Sequence, residues 1–347
     1  MKVNKVILIG AIDKGSIATN GETMKNQMLL QRFEDLYDKV VAVDAYNWRK
    51  RPWCFFEILW SLIWNRGAKV VISASGAASW LYDFLYYIPL KKNVNDWVIG
   101  GSLPLRIEQG VYRVKSLAKL NRIIVEGEQM VKDLQAKGLK NVVCVPNFKP
   151  VEYMVKLKEK HEGAPYHFVF LSRVHPAKGI SDIIAACKEL NSQGNQEKYN
   201  VSLYGPIEKG YEAAFEEEVN SCPNVQYKGF LNLMKPEGYD ELSQYDVMLF
   251  PTYWDGEGFP GIAIDAYIAG LPIIASDWNM NKEVVLDGKT GFIVPVKDSK
   301  SLAAKMLLLM ENTALLNKMR KNCATYAPQF DYRNVVTREL LEELNIL

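Results

Sequence analysis

The chain reads as an α/β protein made of two doubly wound parallel sheets, one in each of two domains. Short apolar runs such as KVILIG, KVVAV, VVIS, FVFL, VSLY and VMLF alternate with stretches of helical period along its whole length. These runs lack the in–out alternation of a half-exposed strand, so each is expected to be covered on both faces. At 347 residues the chain exceeds a usual single domain, and the charged segment KLKEKHEGAP (residues 156–165) divides it near the middle. The expected division is residues 1–150, residues 165–330 and a last helical stretch at 331–347.

The first domain opens with the apolar run 5–11, a strand ending at Gly10. The apolar stretch before Asp13 is too short for a secretory leader. The loop IDKGSIATNGETMKN, rich in Gly, Ser, Thr and Asn, passes into an amphipathic helix that runs to about Leu36. A second strand at 39–43 leads to Asp44, and further strands are expected at 70–73, 97–99, 123–125 and 142–145. Ligands of such sheets sit beyond the carboxyl ends of the strands. That singles out the loop after Ala11, the Gly100-Gly101-Ser102 turn and the segment after Val125.

Residues 48–64, WRKRPWCFFEILWSLIW, carry Trp48, Trp53, Trp60 and Trp64 behind Arg49, Lys50 and Arg51. Apolar residues recur at three- and four-residue steps from Trp53, which predicts a helix whose apolar surface is broader than sheet contact requires. Two readings stand beside each other: peripheral contact with an anionic membrane, and a core helix preceded by a basic loop. Residues 1–150 carry 22 Lys/Arg against 13 Asp/Glu and the remainder 20 against 27, so the basic excess lies in the half that holds this segment. No uncharged apolar run reaches the length of about 18 residues that a membrane span needs. A cytoplasmic protein, peripheral at the inner face of the cell membrane, is the expectation from the first reading. The five cysteines form no C-x-x-C pair and are expected to be buried thiols.

In the second half, a strand at 167–171 is followed by SRVHPAKGISDII, which puts two cations, Arg173 and Lys178, after a strand end. Strands at 201–204 and 225–227 end at Gly205 and near Gly229. A short helix at 239–245 precedes the strand 247–250. Gly256, Gly258 and Gly261 then lead into a helical stretch at 262–269, stopped by Gly270 and Pro272 before a strand at 273–275. Strand, glycine loop and helix start together present backbone N–H groups and a positive helix end to an anion. Glu257 and Asp265 bracket this loop, and carboxylates accept hydrogen bonds from sugar hydroxyls. Phosphate donors beside hydroxyl acceptors suggest a nucleotide-sugar. Amphipathic helices are expected at 301–310, 313–326 and 332–347.

The segment EGFPGIAIDAYIAGLPIIASD, with Asn281, Glu283 and DGKTGFIV after it, resembles the signature segment of glycosyltransferase family 4. Members are retaining enzymes of the two-domain GT-B fold. The resemblance covers most of the chain and is strongest between Ser172 and Pro295. It implies two Rossmann-like doubly wound domains facing across a cleft, the first for the acceptor and the second for the donor. On this resemblance Arg173 and Lys178 clamp the donor diphosphate, Glu257 binds donor-sugar hydroxyls and Asp265 binds the ribose. The backbone of Gly258, Phe259, Pro260 and Gly261 faces the phosphates or the sugar. Gly205 sits at a strand end facing the cleft, and Gly229 lies where the resembled enzymes contact the base. Gly21 stands where the family has a glycine loop near the donor phosphates, although a plain strand-to-helix turn explains it equally. Three departures are visible: Asp265 replaces the usual Glu, Ser172 replaces the usual Gly, and no histidine occurs before residue 161.

The histidines are His161, His167 and His175, and no H-x-E or D-x-D pair marks a metal site. The resemblance implies that no metal is required and that a donor phosphate oxygen takes the acceptor's proton. The donor implied is a nucleotide-diphosphate sugar, a UDP-sugar foremost. The acceptor is a lipid-linked or oligosaccharide one in capsule, exopolysaccharide or O-antigen assembly, and nucleic acid is not a partner. A catalytically idle nucleotide-sugar-binding scaffold subunit and a GT-B-fold nucleotide-sugar epimerase are the alternatives.

Overall fold

The computed structural model describes residues 4–15, 21–74, 78–153, 155–157 and 159–347. The chain divides into two compact units, Met1–Pro150 with Phe330–Leu347, and Val151–Gln329.

The first unit runs β1 (Lys5–Gly10), α1 (Gly21–Leu36), β2 (Lys39–Asp44), α2 (Cys54–Trp64), β3 (Lys69–Ser73), α3 (Ser79–Tyr87), β4 (Val94–Trp97), α4 (Leu103–Glu108), α5 (Val114–Leu117), β5 (Arg122–Val125), α6 (Glu128–Ala136) and β6 (Val142–Cys144). Its sheet is parallel, in the order β2-β1-β3-β4-β5-β6. The order reverses at β1, so the carboxyl ends of β1 and β3 flank a topological switch point, where such sheets form ligand crevices.

The strand expected at 97–99 forms instead at Val94–Trp97. Its two polar residues hid it from a hydropathy reading, yet both are buried. Asn95 Nδ2 donates to Val70 O (3.0 Å) and to Asn93 Oδ1 (2.8 Å). Burial pushes the Asp96 carboxyl up to about 7, with a hydrogen bond from the Tyr82 hydroxyl pulling the other way. An unfolded Asp ionises near about 3.9, so this group's contribution is fully present below about pH 4 and is lost as pH rises towards 7. Asp96→Asn is therefore expected to raise the melting temperature more at pH 8 than at pH 5. Melts that shift equally at both values contradict this.

The second unit runs β7 (Tyr166–Leu171), α7 (Ile180–Ser192), β8 (Tyr199–Tyr204), α8 (Glu212–Asn220), β9 (Val225–Gly229), α9 (Pro236–Leu242), β10 (Val247–Phe250), α10 (Gly261–Ile268), β11 (Ile273–Ser276), α11 (Asn281–Val284), β12 (Gly291–Val294), α12 (Ser299–Glu311) and α13 (Thr313–Tyr326). Its parallel sheet has the order β12-β11-β10-β7-β8-β9. Phe168, Phe170, Leu203 and Leu249 of the strands pack with Ile183 of α7 and with Leu302 and Met306 of α12. Just before β10, the buried Asp246 accepts from Arg320 Nη1 (3.1 Å), Lys160 Nζ (2.8 Å) and His167 N (2.8 Å).

After α13 the chain adds α14 (Tyr332–Val335) and α15 (Arg338–Glu343) to the first unit. One helix was expected over 332–347; two short ones form because the Thr337 side chain accepts from Leu340 N and starts a new helix. Tyr332, Val336, Leu341 and Ile346 share a core with Leu8, Phe33 and Trp97. Arg32 Nε donates to Val336 O (2.7 Å) and Asn121 Nδ2 to Leu344 O (3.0 Å), tying this segment down.

Candidate active site

The site is built where β7 and β10 end side by side. The turn Pro176–Lys178 after β7 closes at Gly179, whose φ is +78°. A Cβ there would stand 2.2 Å from Pro251 O, so only glycine lets the turn lie against the end of β10. This close approach sets Lys178 beside Glu257. Lys178 Nζ donates to Glu257 Oε2, and the two side chains are only 10% and 13% exposed. The ammonium also lies 5.7 Å from the centre of the Phe250 ring.

Glu257 is fixed from three further directions. Thr252 Oγ1 donates to its Oε2 (3.3 Å), its own N–H donates to Trp254 O (3.0 Å), and Asn279 Nδ2 donates to its carbonyl (2.9 Å). Trp278 Nε1 donates to Trp254 O (2.8 Å), holding the loop that carries Glu257. The result is an oriented carboxylate paired with a nearly buried cation, a geometry suited to a polyhydroxylated, anionic ligand. Immediately downstream Gly258, Phe259 and Pro260 are buried, so what they offer is backbone. Gly261 opens α10, where Pro260 provides no side-chain cap.

Arg173 is placed apart from this pair. Its side chain is 61% exposed, with Nη1 3.7 Å from Glu208 Oε2. Such a surface pair contributes little, so an anionic ligand has little to displace. His175 Nδ1 accepts from Ala177 N (3.0 Å) and its ring packs edge-on against Trp254, which makes it a loop residue. Asp265 is 2% exposed and its Oδ1 accepts from the Tyr239 hydroxyl (2.7 Å). Burial, and then the Asp265 charge, raise the Tyr239 phenol well above its ordinary range. Any contact of Asp265 with a ribose has to be made alongside that bond.

The remaining glycines differ in kind. Gly205, with φ +135°, would place a Cβ 1.8 Å from Ser172 O, so it packs the end of β8 against the start of the Arg173 loop. Gly229, with φ +83°, accepts at its carbonyl from Gly205 N (2.8 Å). Gly21 opens α1, and among the described residues nothing lies within 4 Å of where its Cβ would stand; the five residues before it lie outside the described residues. Thr252, Tyr239 and Asn279 were not singled out from the sequence. Thr252 alone carried a signal, its place directly after the strand end at Pro251. Among the described residues no group of three or more His, Cys, Asp or Glu is placed to hold a metal ion.

The family described as "Glycosyl transferases group 1" matches residues 153–330, about half of the chain and every element of this site. The chain belongs to that family. This group 1 member is 28% identical over 191 residues to the putative colanic acid biosynthesis glycosyltransferase WcaL of Salmonella typhimurium, a match covering 51% of this chain and 45% of that protein. It is 29% identical over 165 residues to the N,N'-diacetylbacillosaminyl-diphospho-undecaprenol alpha-1,3-N-acetylgalactosaminyltransferase of Campylobacter jejuni, covering 48% and 40%. The matched stretch thus spans less than half the length of these relatives. Among solved structures, Anabaena Alr3699/HepE in complex with UDP superposes with a TM-score of 0.74 over 99% of this chain and 100% of that one, at 14% identity. The group 1 chain has the GT-B fold of two Rossmann-like domains.

Proposed function

We propose that this chain is a retaining, metal-independent glycosyltransferase. It would move a sugar from a nucleotide-diphosphate sugar, foremost a UDP-sugar, to a lipid-linked or oligosaccharide acceptor in surface-polysaccharide assembly. The observation that carries the reading is the Lys178–Glu257 pair, held at the ends of β7 and β10 beside the start of α10. Glu257 accepts hydrogen bonds from donor-sugar hydroxyls. Lys178, with Arg173 swung from Glu208, offsets the charge that gathers on the diphosphate as the glycosidic bond breaks. A donor phosphate oxygen takes the acceptor's proton, so no protein base is called on. The WcaL name, the diphospho-undecaprenol in the Campylobacter relative's name and the UDP bound to the Anabaena protein support this reading. A thermal-shift panel of nucleoside diphosphates tests it. One diphosphate raises the melting temperature, and Arg173→Ala or Lys178→Ala removes the shift. No shift with any of them contradicts it.

The site of action proposed is a membrane surface. α2 buries Cys54, Ile58 and Leu62, while Phe56, Trp60, Ile63 and Trp64 are 50–70% exposed. Leu90, with Arg66, Lys91 and Lys92, shares a hollow with Ile63, and Tyr87 and Ile88 at the end of α3 are exposed as well. Aromatic faces rimmed by cations suit an anionic bilayer surface. No helix among the described residues is long and apolar enough to cross a membrane. The double substitution Trp60→Ser, Trp64→Ser is expected to cut flotation with anionic liposomes by about tenfold or more. Equal flotation of both proteins contradicts the proposal.

A further inference from the structure

We infer that an apolar pocket beside α2 takes the hydrocarbon chain of a lipid-phosphate acceptor, so that lipid-linked acceptors are selected over free oligosaccharides. This inference rests on the transferase reading above.

The pocket has a volume of about 520 Å³ and lies at the switch point of the first sheet. Gly10 ends β1, Ala45 follows β2 and Ala74 follows β3, and all three line it. The walls are side chains such as Ile9, Ile58, Ile72 and Leu81, with the rings of Trp48 and Phe55. Close-packed interiors do not leave apolar voids of this size, whereas ligand pockets of about 300–1000 Å³ are usual. Among the described residues so few polar groups face it that a sugar's hydroxyls would go unpaired against them.

Among the described residues that line it, the one charged side chain is Arg51. Its Nη1 donates to Asp44 O (3.3 Å) and its Nη2 lies 3.5 Å from Glu57 Oε2. The Asp44 carboxylate is itself occupied by the backbone N–H groups of Ile12, Lys14 and Tyr46. A phosphate at the rim therefore competes for the guanidinium with the partly exposed Glu57 and with the Asp44 carbonyl, both of which leave Arg51 one-third exposed. Phe55 makes the pocket continuous with the exposed face of α2: its ring lies 5.3 Å from Trp80, which also lines the pocket, and 5.8 Å from Phe56, which is 70% exposed. A hydrocarbon chain leaving a bilayer under α2 meets the rings of Phe56 and Phe55 on its way to the pocket. A phosphate-capped chain fits both the apolar walls and the cation at the rim.

Calorimetric titration with decyl phosphate below its micelle concentration, with ethyl phosphate as the control, tests this. Decyl phosphate is expected to bind and ethyl phosphate not, each buried methylene tightening binding about fourfold. Ala45→Phe and Ala74→Leu, which fill the pocket, are each expected to weaken decyl phosphate at least about tenfold with the melting temperature kept. Absence of decyl phosphate binding, or equal binding by both filled variants, overturns the inference. Loss of anionic-vesicle flotation in Ala45→Phe would assign the pocket to a bilayer lipid and overturn it as well. A nucleoside-diphosphate thermal shift without decyl phosphate binding removes this inference and leaves the transferase reading standing. Decyl phosphate binding without any nucleotide response overturns the acceptor role together with that reading.

Discussion

Replacing Glu257 with alanine is expected to lower kcat/KM by about 2–4 kcal/mol, roughly 30- to 1000-fold. Two losses combine. The carboxylate that would accept the donor-sugar hydroxyls is gone, and Lys178, only 8% exposed, is left without the partner that orients it. Glu257→Gln separates them, because it keeps an acceptor for Thr252 while removing the charge that pairs with Lys178. Alanine is therefore expected to be the more damaging change. Steady-state kinetics that place Glu257→Ala within about threefold of the unaltered protein contradict the role given to this residue.

Asp246→Ala is expected to destabilise the second unit by about 3–5 kcal/mol. Asp246 is 3% exposed, and its two oxygens are shared among the Arg320 guanidinium, the Lys160 ammonium and the His167 N–H. Removing it leaves two cations, whose side chains are 6% and 10% exposed, with backbone carbonyls but no counter-ion, and buried charge without a counter-ion is far costlier than the intact network is favourable. The substitution also loosens the entry to β10, the strand whose far end leads into Thr252 and Glu257. Denaturant unfolding measures the change. A loss below about 1 kcal/mol contradicts it, since that is what an exposed pair contributes.

Much of this architecture was legible because buried parallel strands are written as plain apolar runs. VMLF and FVFL mark β10 and β7 without help from any neighbour. β4 was misplaced because Asn95 is buried with a cross-strand hydrogen bond and Asp96 with a carboxyl whose pKa burial raises, neither of which hydropathy registers. The C-terminal stretch has one helical period on either side of Thr337, and only the capping bond to Leu340 N shows the break. At the site, the glycine loop and its carboxylate were readable as a local pattern. The meeting of Lys178 and Glu257 was not, because 79 residues separate them and the contact depends on Gly179 lying against Pro251. For the same reason nothing in the sequence tied Tyr239 to Asp265, or set Arg173 beside Glu208 rather than beside Lys178. Periodicity gave α2 as a helix; which of its broad apolar faces meets solvent is a property of the packed sheet beneath it.

Transfer of a sugar from a nucleotide-diphosphate donor is the reaction proposed for the Lys178–Glu257 site. Proton NMR of the purified chain with UDP-sugars, and with a decyl-diphosphate-linked saccharide as acceptor, tests it most directly. UDP release and a new glycoside that keeps the donor's anomeric configuration are expected, with both lost in Glu257→Ala. Donor binding without turnover of any nucleotide-sugar, or a product of inverted configuration, would contradict it.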